Sequence, residues 1–219
     1  MASPATLPFF IPMPDETRAR IVAAAARDLG RQGPFQVGGR RYRADCSGFV
    51  AAAYHSAGIP FRDALHLGDE DAGSAVVALH RALAANGVVL GRGDRPLPGD
   101  LVFFHDTYDR NGDGRAGDPL THVGVVERAG RDGTVTFLHR GTRAVARGTL
   151  SLLHPSVERG PSGERWNSRL RAARPGDQPG TRYLAGELFF AYGRFDAARI
   201  AAALEGSPDL SLPALGFEE

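Results

Sequence analysis

Asp45-Cys46-Ser47-Gly48-Phe49-Val50-Ala51-Ala52-Ala53-Tyr54 is the stretch on which the fold of this chain turns. Asp45 is a good helix-capping residue, and Phe49, Val50, Ala53, Tyr54 and Ala57 recur at helical spacing. The pattern predicts a helix from Cys46 to about Ala57, ended by Gly58 and Pro60. Cys46 is the single cysteine of the chain, so it closes no internal disulfide. It is either a small buried hydrophobe or a reactive group. At the first turn of a helix, unpaired N–H groups and the positive end of the dipole favour its thiolate. The same donors can hold a developing oxyanion. Alone, such a cysteine is more often structural; the segments downstream decide otherwise.

Working outward, residues 1–14 read as an extended, Pro-rich lead. Asp15 is placed to cap a helix through Ile21, Val22, Ala25 and Leu29, stopped by Gly30. A Gly-rich turn region precedes Asp45, and a third helix is expected from about Gly73 to Ala85. From residue 97 the apolar period becomes that of strands: Leu101–Phe104, Val123–Glu127, Thr134–Leu138 and Ala144–Leu152, with a hairpin tip at Arg131-Asp132-Gly133. Residues 155–181 are polar and rich in Gly, Pro and Arg, which reads as a long surface loop. Glu187–Tyr192 is a last strand and Asp196–Leu204 a last helix. Helices followed by a run of antiparallel strands indicate an α+β fold. The expected organisation is a single domain over 15–205, with a tail at 206–219.

Composition narrows the function. The 219 residues are 42% hydrophobic and 23% charged, ordinary values for a globular protein. All 26 basic residues are arginine, against 25 acids, and the net charge of +1 offers no field for nucleic acid. Apolar runs fall short of the roughly 20 residues of a membrane span. Residues 1–14 have no basic n-region and do not form an intact signal peptide.

Pro98-Gly99-Asp100-Leu101-Val102-Phe103-Phe104 enters one strand, and Thr121-His122-Val123-Gly124-Val125-Val126 starts the next with a histidine. Phe137-Leu138-His139-Arg140 adds a second histidine on the adjacent strand. A cysteine at a helix start, a histidine on a sheet and a polar group to orient it are the parts of a thiol hydrolase. His122 is then the base that takes the proton of Cys46, and His139 holds its tautomer.

These segments, in this order, resemble the NlpC family of cell-wall peptidases and, more distantly, the CHAP amidases. The matching pieces span residues 45 to 139, and Pro34-Phe35-Gln36-Val37-Gly38-Gly39 extends the likeness upstream. The resemblance implies a papain-like fold, with N-terminal helices packed on a central antiparallel sheet. It implies Cys46, His122 and His139 as a triad that needs no cofactor, and a peptidoglycan stem peptide as substrate, cut at γ-D-glutamyl–diaminopimelate or a neighbouring amide. It also implies a cell-envelope, periplasmic or secreted location; a monomer is expected. Two alternatives stand beside it: a CHAP-type N-acetylmuramoyl-L-alanine amidase or acyltransferase on the same fold, and a calcium-dependent wall-binding module with a vestigial triad. A zinc site through Cys46 and the two histidines lacks a visible fourth ligand. One departure is Phe35, where many family members carry a tyrosine whose hydroxyl assists the oxyanion. That role passes to backbone donors or another residue, with Tyr42 as a candidate.

Asp109-Arg110-Asn111-Gly112-Asp113-Gly114-Arg115 is the other candidate site. Oxygens at relative positions 1, 3 and 5 with Gly at 6 match the first half of a calcium loop, with the Arg115 carbonyl at position 7. Leu120 stands where the bidentate Glu belongs, so Asp118 is the candidate closing ligand for a structural calcium ion. Asn-Gly and Asp-Gly are equally ordinary turn formers. His55, His66, His80 and His154 read as surface or turn histidines. His105 and Asp106 are candidates to line the cleft, and Trp166 to stack on a sugar or anchor its loop.

Overall fold

The computed structural model describes residues 10–65 and 75–206. The expectations for residues 1–9, His66, residues 73–74 and the tail from 207 lie outside the described residues. In chain order the elements are α1 (Asp15–Arg27), β1 (Phe35–Val37), β2 (Arg40–Tyr42), α2 (Cys46–Ser56), α3 (Phe61–Ala64), α4 (Ala75–Asn86), β3 (Gly87–Leu90), β4 (Leu101–Phe104), β5 (His122–Ala129), β6 (Thr134–Arg140), β7 (Val145–Ser151), α5 (Ala185–Leu188), β8 (Phe189–Phe195) and α6 (Ala197–Glu205). The fold is α+β, with a six-stranded antiparallel sheet in the order β3-β8-β4-β5-β6-β7.

The register of β4 explains why Leu101–Phe104 carries no polar residue. All four side chains are fully buried, because both faces of the sheet are covered. Leu101 and Phe103 join Ile21, Phe49, Val50, Leu83, Val123, Val125 and Ile200 in a core shared with the helices. Val102 and Phe104 face the opposite way, into a second cluster with Val126, Phe137, Leu150, Leu188 and Tyr192. A central strand buried on both sides reads as a continuous apolar run rather than an alternation.

Helix α2 is buried all round from Ser47 to Tyr54, between α1, β1 and β5. Three successive alanines let its neighbours approach closely, and a helix apolar on every side is a core helix. Gly48 is dictated by the chain before it: a Cβ there would lie 2.2 Å from the Arg43 carbonyl oxygen. The expected Asp45 cap forms, its Oδ1 accepting the Gly48 N–H at 2.8 Å.

Several expectations are corrected. Asp15 is the first residue of α1 rather than its cap, which is Pro14. The Gly-rich region before Asp45 holds a small hairpin, β1 against β2. Helix α4 ends at Asn86, and Gly87 begins β3 directly, a strand the sequence did not mark, which pairs with β8. That pairing places the last strand between β3 and β4. The polar segment 155–181 has no long element, yet it is pinned to the body. Asn167 is wholly buried; its Oδ1 accepts the Ser151 N–H, and its Nδ2 donates to the carbonyls of His154 and Val157.

Candidate active site

Strands β5 and β6 and the start of α2 meet at a cleft of about 930 Å³ lined by Cys46, His122 and His139 together with Tyr108 and several arginines. Cys46 reaches it because α2 begins there, capped by Asp45, whose Oδ1 also accepts the Ser47 hydroxyl at 2.8 Å. His122 is the first residue of β5, opposite Phe104 on β4. His139 comes from β6, near that strand's end. Gly124 permits the close approach of β5 and β6: a Cβ there would meet the Leu138 carbonyl oxygen at 2.8 Å and the His139 Cβ at 3.3 Å. That contact brings Nε2 of His122 to 2.8 Å from Nδ1 of His139, with the rings at 88°.

Burial dominates the electrostatics. The Cys46 thiol is pushed up to about 11, first by desolvation and then by the Asp45 charge. The backbone N–H of Val123 and those of the helix start pull it down without outweighing burial. His122 lies well below its ordinary value because of burial, with His139 adding to the effect. His139 is lowered to about 4 by burial. Both directions favour the neutral thiol and neutral imidazole over the thiolate–imidazolium pair. The sequence pointed to a thiolate favoured by the helix start; here the loss of water outweighs the dipole.

The hydroxyl sought in place of the one Phe35 lacks is not supplied by Tyr42. Phe35 is buried against Phe49, and the Tyr42 hydroxyl lies 2.6 Å from Nδ1 of His55, away from the cleft. Tyr108, which the sequence reading passed over, does line the cleft. Its phenol is raised by burial and then by its nearness to Cys46. No local motif marks it, since it sits in a loop whose path is set by long-range contacts.

The remaining candidates separate. His105 stacks on Phe190 at 4.2 Å, and its Nδ1 accepts the Leu120 N–H, so it braces the loop rather than lining the cleft. The Asp106 carboxylate accepts the N–H groups of Gly117 and Asp118, closing the base of that loop. Trp166 stacks on His154 at 4.2 Å, anchoring its segment. In the acidic loop, Asp109 accepts from the N–H groups of Gly112 and Gly114, and Asp113 from Arg115 and the Asn111 side chain. Asp118 is buried and turned to Arg110, whose N–H it accepts at 3.0 Å. Among the described residues no three Asp, Glu, His or Cys side chains gather as a metal site. Asn111 and Asp113 are thus in contact, Asp109 is bound to the N–H groups of the same turn, and Asp118 stands apart.

The family model of the CHAP domain matches residues 36–141, from β1 to just past His139. Over these residues, just under half of the chain, the protein is similar to a CHAP domain. CHAP domains are peptidoglycan hydrolases and amidases, and this segment contains Cys46, His122 and His139. Comparison with curated proteins finds no match. Among solved structures, the chain is similar to one described as similar to a lipoprotein of the NLP/P60 family, from Staphylococcus aureus subsp. aureus Mu50. The identity is 24% and the TM-score 0.37, over 64% of this chain and 39% of that one. Helices α1 and α6, strands β7 and β8, and the segment 152–184 lie outside the CHAP match.

Proposed function

We propose that the domain, taken as residues 15–205, hydrolyses amide bonds in peptidoglycan stem peptides through a Cys46–His122–His139 triad, with γ-D-glutamyl–diaminopimelate as the bond. The observation that carries this reading is one cleft shared by the only cysteine, at a helix start, and two histidines 2.8 Å apart. Because Nε2 of His122 faces His139, its Nδ1 is the nitrogen left to act as base. That role requires the hydrogen on Nε2, donated to Nδ1 of His139. Cys46 and His122 rest neutral, so the proton leaves Sγ for Nδ1 as sulfur attacks the carbonyl carbon. The tetrahedral oxyanion is held by N–H groups of the α2 start and by the Tyr108 hydroxyl. Its collapse breaks the C–N bond, and the imidazolium protonates the leaving amine. Water, deprotonated by His122, then cleaves the thioester and restores the thiol.

The CHAP match equally supports cleavage at N-acetylmuramoyl–L-alanine, or acyl transfer, by the same steps with a different scissile bond or acceptor. Mass spectrometry of muropeptides digested with the protein and with Cys46→Ala decides between them. New termini inside the stem peptide support the reading, and intact stem peptides released from free lactyl carboxyls support the amidase. Equal digests from the two proteins defeat both, and absence of cleavage by either supports a wall-binding module. The substrate places the working location at the cell envelope. For the loop 109–115 we propose a supporting calcium ion on Asp109, Asn111, Asp113 and the Arg115 carbonyl, without Asp118, whose buried carboxylate serves Arg110.

A further inference from the structure

The cleft is electrostatically lopsided. Six arginines line it (Arg43, Arg110, Arg140, Arg169, Arg171 and Arg174) against two carboxylates, Asp45 and Asp109. Three of these cations are neutralised locally: Arg43 by Asp45 at 3.1 Å, Arg169 by Glu158 at 3.0 Å, and Arg110 by Asp118 at 4.0 Å. The other three have no carboxylate at ion-pairing distance among the described residues.

The way two of them are held is informative. Arg171 is buried, and its Nη1 donates to the Asp106 carbonyl at 2.9 Å. Arg140 donates from Nη2 to the Gln32 carbonyl at 2.8 Å and from Nη1 to the Gly141 carbonyl, while its buried Nε has no partner. A main-chain carbonyl fixes a guanidinium in place without cancelling its charge. Burying a cation in that way costs free energy unless an anion arrives to use it. Arg174 is exposed beside them; the Asp177 carboxylate accepts its backbone N–H at 2.8 Å and feels the charges of both Arg171 and Arg174, without an ion-pair contact to either. Arg171 and Arg174 come from the segment beyond the CHAP match, so the body of this chain adds a wall to the CHAP cleft.

We propose that Arg140, Arg171 and Arg174 form a carboxylate-binding wall that selects peptides carrying a free carboxylate beside the scissile amide. This deepens the reading of the cleft as a stem-peptide hydrolase site and rests on it. Guanidinium forks match carboxylates bidentately, and such charge-assisted bonds are the strong ones. Arginine positions held by the main chain lose little side-chain entropy when the anion binds.

The single cysteine allows a test that needs no substrate. Iodoacetate and iodoacetamide alkylate the same thiolate but differ in charge, so the ratio of their rates cancels any change in the Cys46 titration. The ratio is measured at pH 9 for the folded protein and for the same chain unfolded in guanidinium. The folded ratio should exceed the unfolded one several-fold and fall toward it in high salt. Arg174→Gln, exposed and structurally neutral, and Arg171→Gln should each lower it about two- to threefold, as expected for one charge at cleft distance in a watery dielectric. A folded ratio equal to the unfolded one, or a ratio unmoved by both substitutions, overturns the wall. In a second arm, stem peptides with the carboxylate free or amidated are compared by kcat/KM. Amidation should cost wild type about tenfold or more, and Arg174→Gln should shrink that penalty. An intact alkylation ratio with no cleavage of either peptide would overturn the proposed reaction alone. Cleavage indifferent to the carboxylate would overturn the wall alone.

Discussion

Nε2 of His122 and Nδ1 of His139 lie 2.8 Å apart across β5 and β6, with their rings nearly perpendicular. That contact occupies Nε2 of His122, and in the proposed mechanism Nδ1 is the nitrogen that serves the thiol. A base and its orienter act as a unit, so their losses do not add. His122→Ala should abolish hydrolysis, and His139→Ala should leave a measurable residue. The double variant should be no worse than His122→Ala. Full activity in His139→Ala would remove the third member of the triad.

Cys46→Ala should abolish turnover with little change in the melting temperature, since a half-buried thiol gives way to a methyl group of similar shape. Tyr108→Phe removes only a hydroxyl. If that group donates to the oxyanion, kcat should fall about tenfold to a hundredfold with KM little changed. An unaltered kcat would leave oxyanion stabilisation to the backbone of α2.

The two histidines also make the fold acid-sensitive. His139 titrates at about 4 in the folded protein against an ordinary 6.5, and His122 is lowered as well. Between those values the unfolded chain takes up protons that the folded chain refuses, so stability falls as pH drops from about 6.5 toward 4. It is fully present above the unfolded value. For His139 alone the loss is on the order of 3 kcal/mol. Urea melts at pH 7 and pH 4.5 should show the decline, and His139→Asn should flatten it. A variant with the wild-type slope would place the acid sensitivity elsewhere.

Asp100 is buried and binds Arg194 on β8 through three contacts, the shortest 2.7 Å. The pair ties β4 to the last strand. Arg194→Met strands a carboxylate in the interior, which costs about 3–5 kcal/mol, whereas replacing both partners by apolar residues should restore much of the loss. Denaturant midpoints for the single and double variants measure this, and a single variant within 1 kcal/mol of wild type, on the scale of an exposed pair, would contradict it.

Calcium should raise the melting temperature, EGTA should lower it, and Asp113→Ala should remove the difference. Binding to the folded state alone stabilises it by about 2.7 kcal/mol at a hundredfold excess over the dissociation constant. Hydrolysis should fall only partly on chelation, because the loop precedes His122 without joining the chemistry. Melting curves indifferent to both additions would mean that the turn's own hydrogen bonds hold it.

What the sequence determined by itself is what local pattern can encode. The capped start of α2, the apolar run of β4, the strands opened by His122 and carrying His139, and the α+β class all follow from period and composition within short windows. Tertiary structure decided the rest. β8 inserts between β3 and β4 through pairings about a hundred residues apart in sequence, which no window contains. Tyr108, Arg171 and Arg174 reach the cleft because the chain is folded back by Asp106, Asn167 and the carbonyls they meet. Burial, a property of the whole molecule, outweighs the helix start at Cys46: partial loss of water raises to about 11 the thiol that the local dipole favours as an anion.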